Sequence, residues 1–256
     1  MREAFTYMFK DTMFAKKAFA YCFICFVTLL AAGAPDALKT TIVAQTPTID
    51  SVPNPFLNLF LLIAVLLYAI LGGYYFSGIK AISEQKNNIV LPFINPWKNF
   101  TKGTKFGIAY LLPNIIIAGV VYFLTQTYIT QFNIIVIPTI ILAIAFCSFY
   151  FIYSNIFYLL FANEGKFLTY FRWKKACETL KNANKKVYFK NLFLVVFVNI
   201  LGGLLSSSFN HIFNYLITNN HVTWVISSIE GAIIEGFTAF VTMYLVAKAI
   251  EPKSVV

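Results

Sequence analysis

Residues 191–217 read NLFLVVFVNILGGLLSSSFNHIFNYLI, without one Asp, Glu, Lys or Arg. About 20 mostly apolar residues suffice to carry a helix across the hydrocarbon core of a bilayer. This stretch therefore predicts a membrane-spanning helix, and it sets the scale for reading the rest of the chain. On its C-terminal side a second apolar run covers about 223–249, after the short connector TNNHV. On its N-terminal side, further runs cover about 133–162, 106–125, 56–79 and 18–34. The prediction is a single polytopic domain over 1–256. It is an all-α integral membrane bundle of six transmembrane helices in three hairpins.

Composition agrees with that reading. The chain of 256 residues is 59% hydrophobic and 12% charged, with mean hydropathy +0.73. A water-soluble domain of this size is nearer half apolar and a quarter charged, so this much apolar surface needs lipid as its solvent. The net charge of +10 could suggest nucleic acid, but the basic residues are almost all Lys. Only Arg2 and Arg172 are arginines, and bidentate phosphate recognition favours Arg. No nucleic-acid partner is expected.

The lysines instead report topology. Four basic residues precede the first span (Arg2, Lys10, Lys16, Lys17). Others crowd the segments after the second span (Lys80 to Lys105) and the fourth (Lys166 to Lys190), and Lys248 and Lys253 follow the sixth. Of the 20 basic residues, Lys39 alone falls in an opposite loop. The positive-inside rule makes the basic side cytoplasmic, with both termini there and the cell membrane as location. The first span is expected to be retained rather than cleaved, because its leader carries Glu3 and Asp11 and a Pro follows AAGA. The loop 35–55 reads as a Pro/Thr-rich connector.

The segment 173–187 places Trp173, Ala176, Leu180, Ala183 and Val187 at helical spacing, with Lys174, Lys175, Lys181 and Lys185 largely off that face. It reads as a basic amphipathic helix at the cytoplasmic interface, against anionic headgroups. The start, MREAFTYMFKDTMFAKK, reads similarly. Cys22 and Cys25 have C-x-x-C spacing inside an apolar span, without His or carboxylate beside them in sequence. They read as small buried hydrophobes.

The loop after the second span runs LPFINPWKNFTKGTKFGIAYLLPN, Leu91 to Asn114. Pro92 and Pro96 should stop a helix, Trp97 and Phe100 suit an interface, and Gly103 should let the chain turn before the third span. A Leu-Pro, an aromatic stretch and a Gly leading into an apolar helix with a second Leu-Pro resemble the prokaryotic membrane-protein family called domain of unknown function 4013. The entry segment Ala4–Ala20 and the Gly72-Gly73 pair suit the same family. The resemblance implies a polytopic membrane protein and assigns no catalytic residue.

Two carboxylates interrupt the sixth span, Glu230 and Glu235. A charge at mid-span costs about 2.5–3.5 kcal/mol on insertion scales, so they call for partners. At 100° per residue, Ser227, Gly231, Glu235, Thr238 and Thr242 share a strip, and Glu230 lies about 60° outside it. The fifth span carries a matching strip of Asn199, Gly202, Gly203, Ser206, Ser207, Asn210 and Asn214. Folding the two spans about Asn220 brings Glu230 level with Asn210 and His211, and Glu235 level with Leu205 beside Ser206 and Ser207. Glu235 is expected to face the fifth span and hydrogen-bond there, and Glu230 to point inward, with His211 as its candidate partner.

No phosphate loop or nucleophile motif occurs, so an enzyme is not expected, nor a cofactor. A metal held by His211, Glu230 and His221 would need a further ligand, and none is expected. Two functions remain open. One is a non-catalytic membrane protein that scaffolds or assists other membrane components. The other is a small transporter or channel subunit using Glu235 and Glu230 to bind a proton or cation.

Overall fold

The computed structural model describes residues 3, 6–45, 55–85, 89–130, 136–217 and 220–250. Among the described residues seven α-helices follow one another. They are α1 (Phe14–Gln45), α2 (Pro55–Glu84), α3 (Pro96–Thr130), α4 (Val136–Glu164), α5 (Trp173–Asn182), α6 (Lys185–Leu216) and α7 (Asn220–Ala247). Short 3-10 turns cover Tyr7–Lys10 and Phe167–Phe171. Among the described residues there is no strand. Four segments are long and apolar enough to cross a membrane: Phe14–Ala34, Asn58–Glu84, Lys185–Phe213 and His221–Ala247. Helices α3 and α4 run through the third and fourth expected spans, but many of their side chains between 112 and 147 lie outside the described residues. So do the tips of the three expected outer loops, at 46–54, 131–135 and 218–219.

The long helices alternate in direction, and one end of the bundle gathers the basic segments. There the best-packed core lies, built from Tyr74, Ile79, Ile82, Leu91, Phe157, Phe161, Tyr188 and Met243, all buried. Towards the other end apolar side chains face outward, as in Leu204, which is 61% exposed. Such faces, unpaid in water, suit contact with a bilayer.

Several boundaries differ from the expected ones. Helix α1 continues to Gln45, through the first part of the expected connector. Helix α3 begins at Pro96, ten residues before the expected span. The Asn95 side chain accepts a hydrogen bond from the Lys98 amide at 3.1 Å, which makes Asn95 an N-cap and Pro96 the first helical residue, a position proline favours. Gly103 therefore sits inside α3 and is not a turn. A Cβ there would lie 1.7 Å from the Ala69 carbonyl oxygen, and one on Gly73 would lie 1.7 Å from that of Asn99. The two glycines let the backbones of α2 and α3 touch, a device common between helices in lipid.

The expected amphipathic helix 173–187 is two helices. Ala183 is extended, and the Asn184 side chain accepts the Val187 amide to cap α6. The Asn-Ala-Asn sequence supplies the break, since asparagine prefers caps to helix interiors. Ala176 is buried by protein and the Trp173 ring lies 5.2 Å from Phe149, so part of the apolar face of α5 packs on the bundle.

The basic end holds a feature that sequence reasoning missed. Asp11 and Lys17 form a buried ion pair at 2.8 Å, their side chains 3% and 1% exposed. Asp11 also accepts the amides of Met13 and Leu91, and Lys17 donates to the Leu91 carbonyl oxygen. The Lys17 ammonium sits 4.8 Å from the Phe93 ring centre. The pair thus clamps the N-terminal segment to the Leu-Pro loop. Burial pushes the Asp11 carboxyl up, but the hydrogen bonds from Lys17, Met13 and Leu91 outweigh it and hold the group below the usual carboxylate range.

Candidate functional site

Helices α6 and α7 form the expected antiparallel hairpin. The register that sets Glu235 opposite Leu205 also sets Thr238 opposite Gly202. A Cβ on Gly202 would in fact meet the Thr238 hydroxyl at 2.8 Å. At Gly203, one residue on, a Cβ would meet nothing within 4 Å. The small residues bring the helices together at one point and leave open space beside it.

That space is a cavity of about 950 Å³. Its α6 wall runs from Val195 to His211, about 24 Å at 1.5 Å per residue, and includes Asn199, Gly202, Gly203, Ser206, Ser207 and Asn210. Its α7 wall carries Gly231, Glu235, Thr238 and Thr242. The two polar strips read from the sequence therefore face one shared space, apart from Ser227, which is not in the lining, and Asn214, whose side chain lies outside the described residues.

The remaining walls are aromatic. Tyr68, Tyr75 and Phe76 come from α2, Tyr21 from α1, Phe106 from α3 and Tyr158 from α4. Phe76, Phe106 and Tyr158 pack into one cluster, with ring centres 4.2 Å apart for Phe76–Phe106 and 5.6 Å for Phe106–Tyr158. These residues were missed in the sequence. Tyr68, Gly72 and Tyr75 do recur at spacings of four and three, the mark of a single helix face, which was a usable signal.

The polar lining divides by hydrogen bonding. The Asn199 amide donates to the Val195 carbonyl oxygen within its own helix, and the Thr242 hydroxyl to Thr238 and Ala239. Among the described residues, Ser206, Ser207, Asn210, His211 and Glu235 make no side-chain hydrogen bond or ion pair. The expected bond from Glu235 to the fifth span is therefore not made. Glu235 shares the cavity lining with Tyr21 and Tyr68.

Glu230 behaves differently. It does not line the cavity, and both its carboxylate oxygens are buried without a hydrogen-bond partner. The expected pair with His211 is absent, because His211 faces the cavity while Glu230 is turned out of that strip by its helical offset. On α7, Gly231 approaches Leu29, Gly236 approaches Cys22, and Trp224 approaches Gly33, so α7 also packs antiparallel to α1. Cys22, Cys25 and Cys177 are free thiols. Among the described residues no three His, Cys, Asp or Glu side chains are gathered in a way that could hold a metal ion.

At the basic end, Lys174, Lys175, Lys181 and Lys185 are all exposed. Lys175 pairs with Glu164 at 2.5 Å, and Arg172 and Thr169 bond to the same carboxylate. The bond from Lys175, then that from Thr169, hold Glu164 below the usual carboxylate range. Lys185 belongs to α6 rather than to the short helix α5.

Among the described residues, an all-helical architecture with four apolar helices of spanning length and polar groups turned to a shared cavity marks a helical membrane protein. The chain belongs to the family described as Protein of unknown function (DUF4013), whose model matches residues 56–211. The match takes in Gly72-Gly73 and the Leu-Pro loop, and stops before Glu230 and Glu235; the Ala4–Ala20 segment also lies outside it. No curated protein and no solved structure matches the chain.

Proposed function

We propose that the chain crosses the cell membrane six times, with both termini and nearly all its lysines on the cytoplasmic side. In this reading the protein is not an enzyme. It binds a small solute in the cavity between α6, α7 and α2 and passes it across the bilayer, with Glu235 as the ionisable group. The carrying observation is the cavity itself: about 950 Å³, lined by a carboxylate and by polar side chains that the protein leaves unpartnered. Unpaired polar groups are costly at membrane depth, and Ser206, Ser207, Asn210, His211 and Glu235, half-buried or exposed, gather along this one space, where water or a solute can satisfy them. An intramembrane carboxylate of this kind marks an ion or substrate path. The exposed Lys174, Lys181 and Lys185 are placed to meet anionic headgroups.

Cysteine accessibility tests the reading. With the native cysteines replaced, Ser206→Cys and Ser207→Cys should react with a membrane-impermeant thiol reagent at least about tenfold faster than the outward-facing Leu204→Cys, since lipid excludes water from that face. Equal rates mean a dry bundle and end the transport reading. In proteoliposomes under a potassium diffusion potential, an entrapped pH dye should report proton movement above that of empty vesicles, and Glu235→Gln should bring it down to the empty-vesicle rate.

A further inference from the structure

The cavity also carries information about what it takes. We propose that it binds an organic cation, a protonated amine or quaternary ammonium with an apolar body. This deepens the solute-binding reading above and rests on it.

The first argument is charge. The chain has 20 basic residues against 10 acidic ones, yet among the described residues lining the cavity there is neither Lys nor Arg, and Glu235 is the one carboxylate. An anion would enter a strongly basic protein and find its only formal charge of the wrong sign. A cation finds its counter-charge at Glu235.

The second argument is the aromatic wall. Rings attract cations over their faces within about 6 Å, and cages of such rings recognise quaternary ammonium groups. Tyr21, Tyr68, Tyr75 and Tyr158 line the same space as Glu235. A proton or a bare metal ion would use the carboxylate and the polar strip but would leave this wall without purpose.

The third argument is size and division. One side of the cavity is Ser, Asn and His on α6, and the other is Tyr and Phe. A solute with a charged head and an apolar body can place the head at Glu235 and its body on Phe76 and Phe106.

Calorimetric titration of the purified full chain in detergent tests this without reference to transport. The probes are benzyltrimethylammonium, the neutral N,N-dimethylbenzamide and the anionic phenylmethanesulfonate, which share a ring and differ in charge. The cation should bind saturably and at least about tenfold tighter than the other two, and Glu235→Gln should remove that preference, because a counter-charge in a site partly shielded from water is strong. Tyr68→Leu, at a half-exposed position, should weaken the cation severalfold while leaving the neutral probe unchanged. Equal binding of the three probes, no saturable binding of the cation, or cation binding indifferent to both substitutions overturns the proposal. Should Glu235→Gln fail to fold, Tyr68→Leu decides alone. Rapid thiol labelling together with indifferent probes sinks this inference and spares the transport reading, whereas slow labelling with selective cation binding does the reverse.

Discussion

The two ends of the α7 helix sit in opposite surroundings. Near Phe240 to Ala247 the helix is enclosed: Tyr7 donates to the Phe240 carbonyl oxygen at 2.6 Å, Tyr244 stacks on Tyr7 at 4.9 Å, and Asn191 donates to the Lys248 carbonyl oxygen. There the buried charges are neutralised, as in the Asp11–Lys17 clamp. Around Gly231 to Thr238 the same helix borders the cavity, and Glu235 is left without a partner. One region buries its charges and pairs them; the other leaves Glu235 unpaired and open to the cavity. The open, unpaired carboxylate is free to meet a solute, which is why that region is read as the working part.

The contrast breaks most sharply at Lys17. Lys17→Met leaves the Asp11 carboxylate buried without its counter-ion, a loss of about 3–5 kcal/mol. The melting temperature in detergent should fall steeply, and replacing Asp11 by Leu as well should recover much of it. By contrast, Glu235→Gln should leave the melt nearly unchanged, since no protein contact is lost. A similar collapse for both would erase the distinction between the regions.

Glycines provide the next test. Gly73→Ala forces a Cβ against the Asn99 carbonyl oxygen and should cost about 1–3 kcal/mol as α2 and α3 are pushed apart. Gly203→Ala enters open space and should be neutral or stabilising by about 0.5–1 kcal/mol, through helix propensity. Opposite signs in thermal melts support a packed α2–α3 contact and an open α6–α7 groove.

The last effect is pH-dependent and concerns Lys102. Its ammonium donates to the Ala162 carbonyl oxygen at the end of α4, at 3.0 Å. Burial first, then the charges of Lys80 and Lys98, push it down to about 8 from its ordinary 10.5. Between those values the unfolded chain holds more protons than the folded one, so stability should rise with pH from about 8 to 10.5. Unfolding followed across that range should show the slope, and Lys102→Met should remove it.

Much of the architecture was legible because the bilayer imposes a simple rule, that backbone polar groups be satisfied within each segment. Long uncharged runs such as 191–217 had to be helices. The polar strips on α6 and α7 were legible as well, because a helix repeats every 3.6 residues whatever surrounds it. The hairpin register followed from counting outward from the turn, and Gly202 against Thr238 keeps it. Local chemistry misled at short range: Gly103 read as a turn, whereas its freedom serves close packing, and Asn184 broke a helix that apolar spacing had joined.

By itself, then, the sequence determined that this chain is helical, lies in lipid, and turns Glu235 and the Ser206–His211 strip to a common side. Those properties follow from hydropathy and helical period, which need no neighbours. Only the tertiary structure decided that the common side is an open cavity with an aromatic far wall, that Glu230 lies apart from it, and that Asp11 closes on Lys17 and Leu91. Each of these depends on which distant residues meet, and the distance between two packed helices is set by the side chains of both.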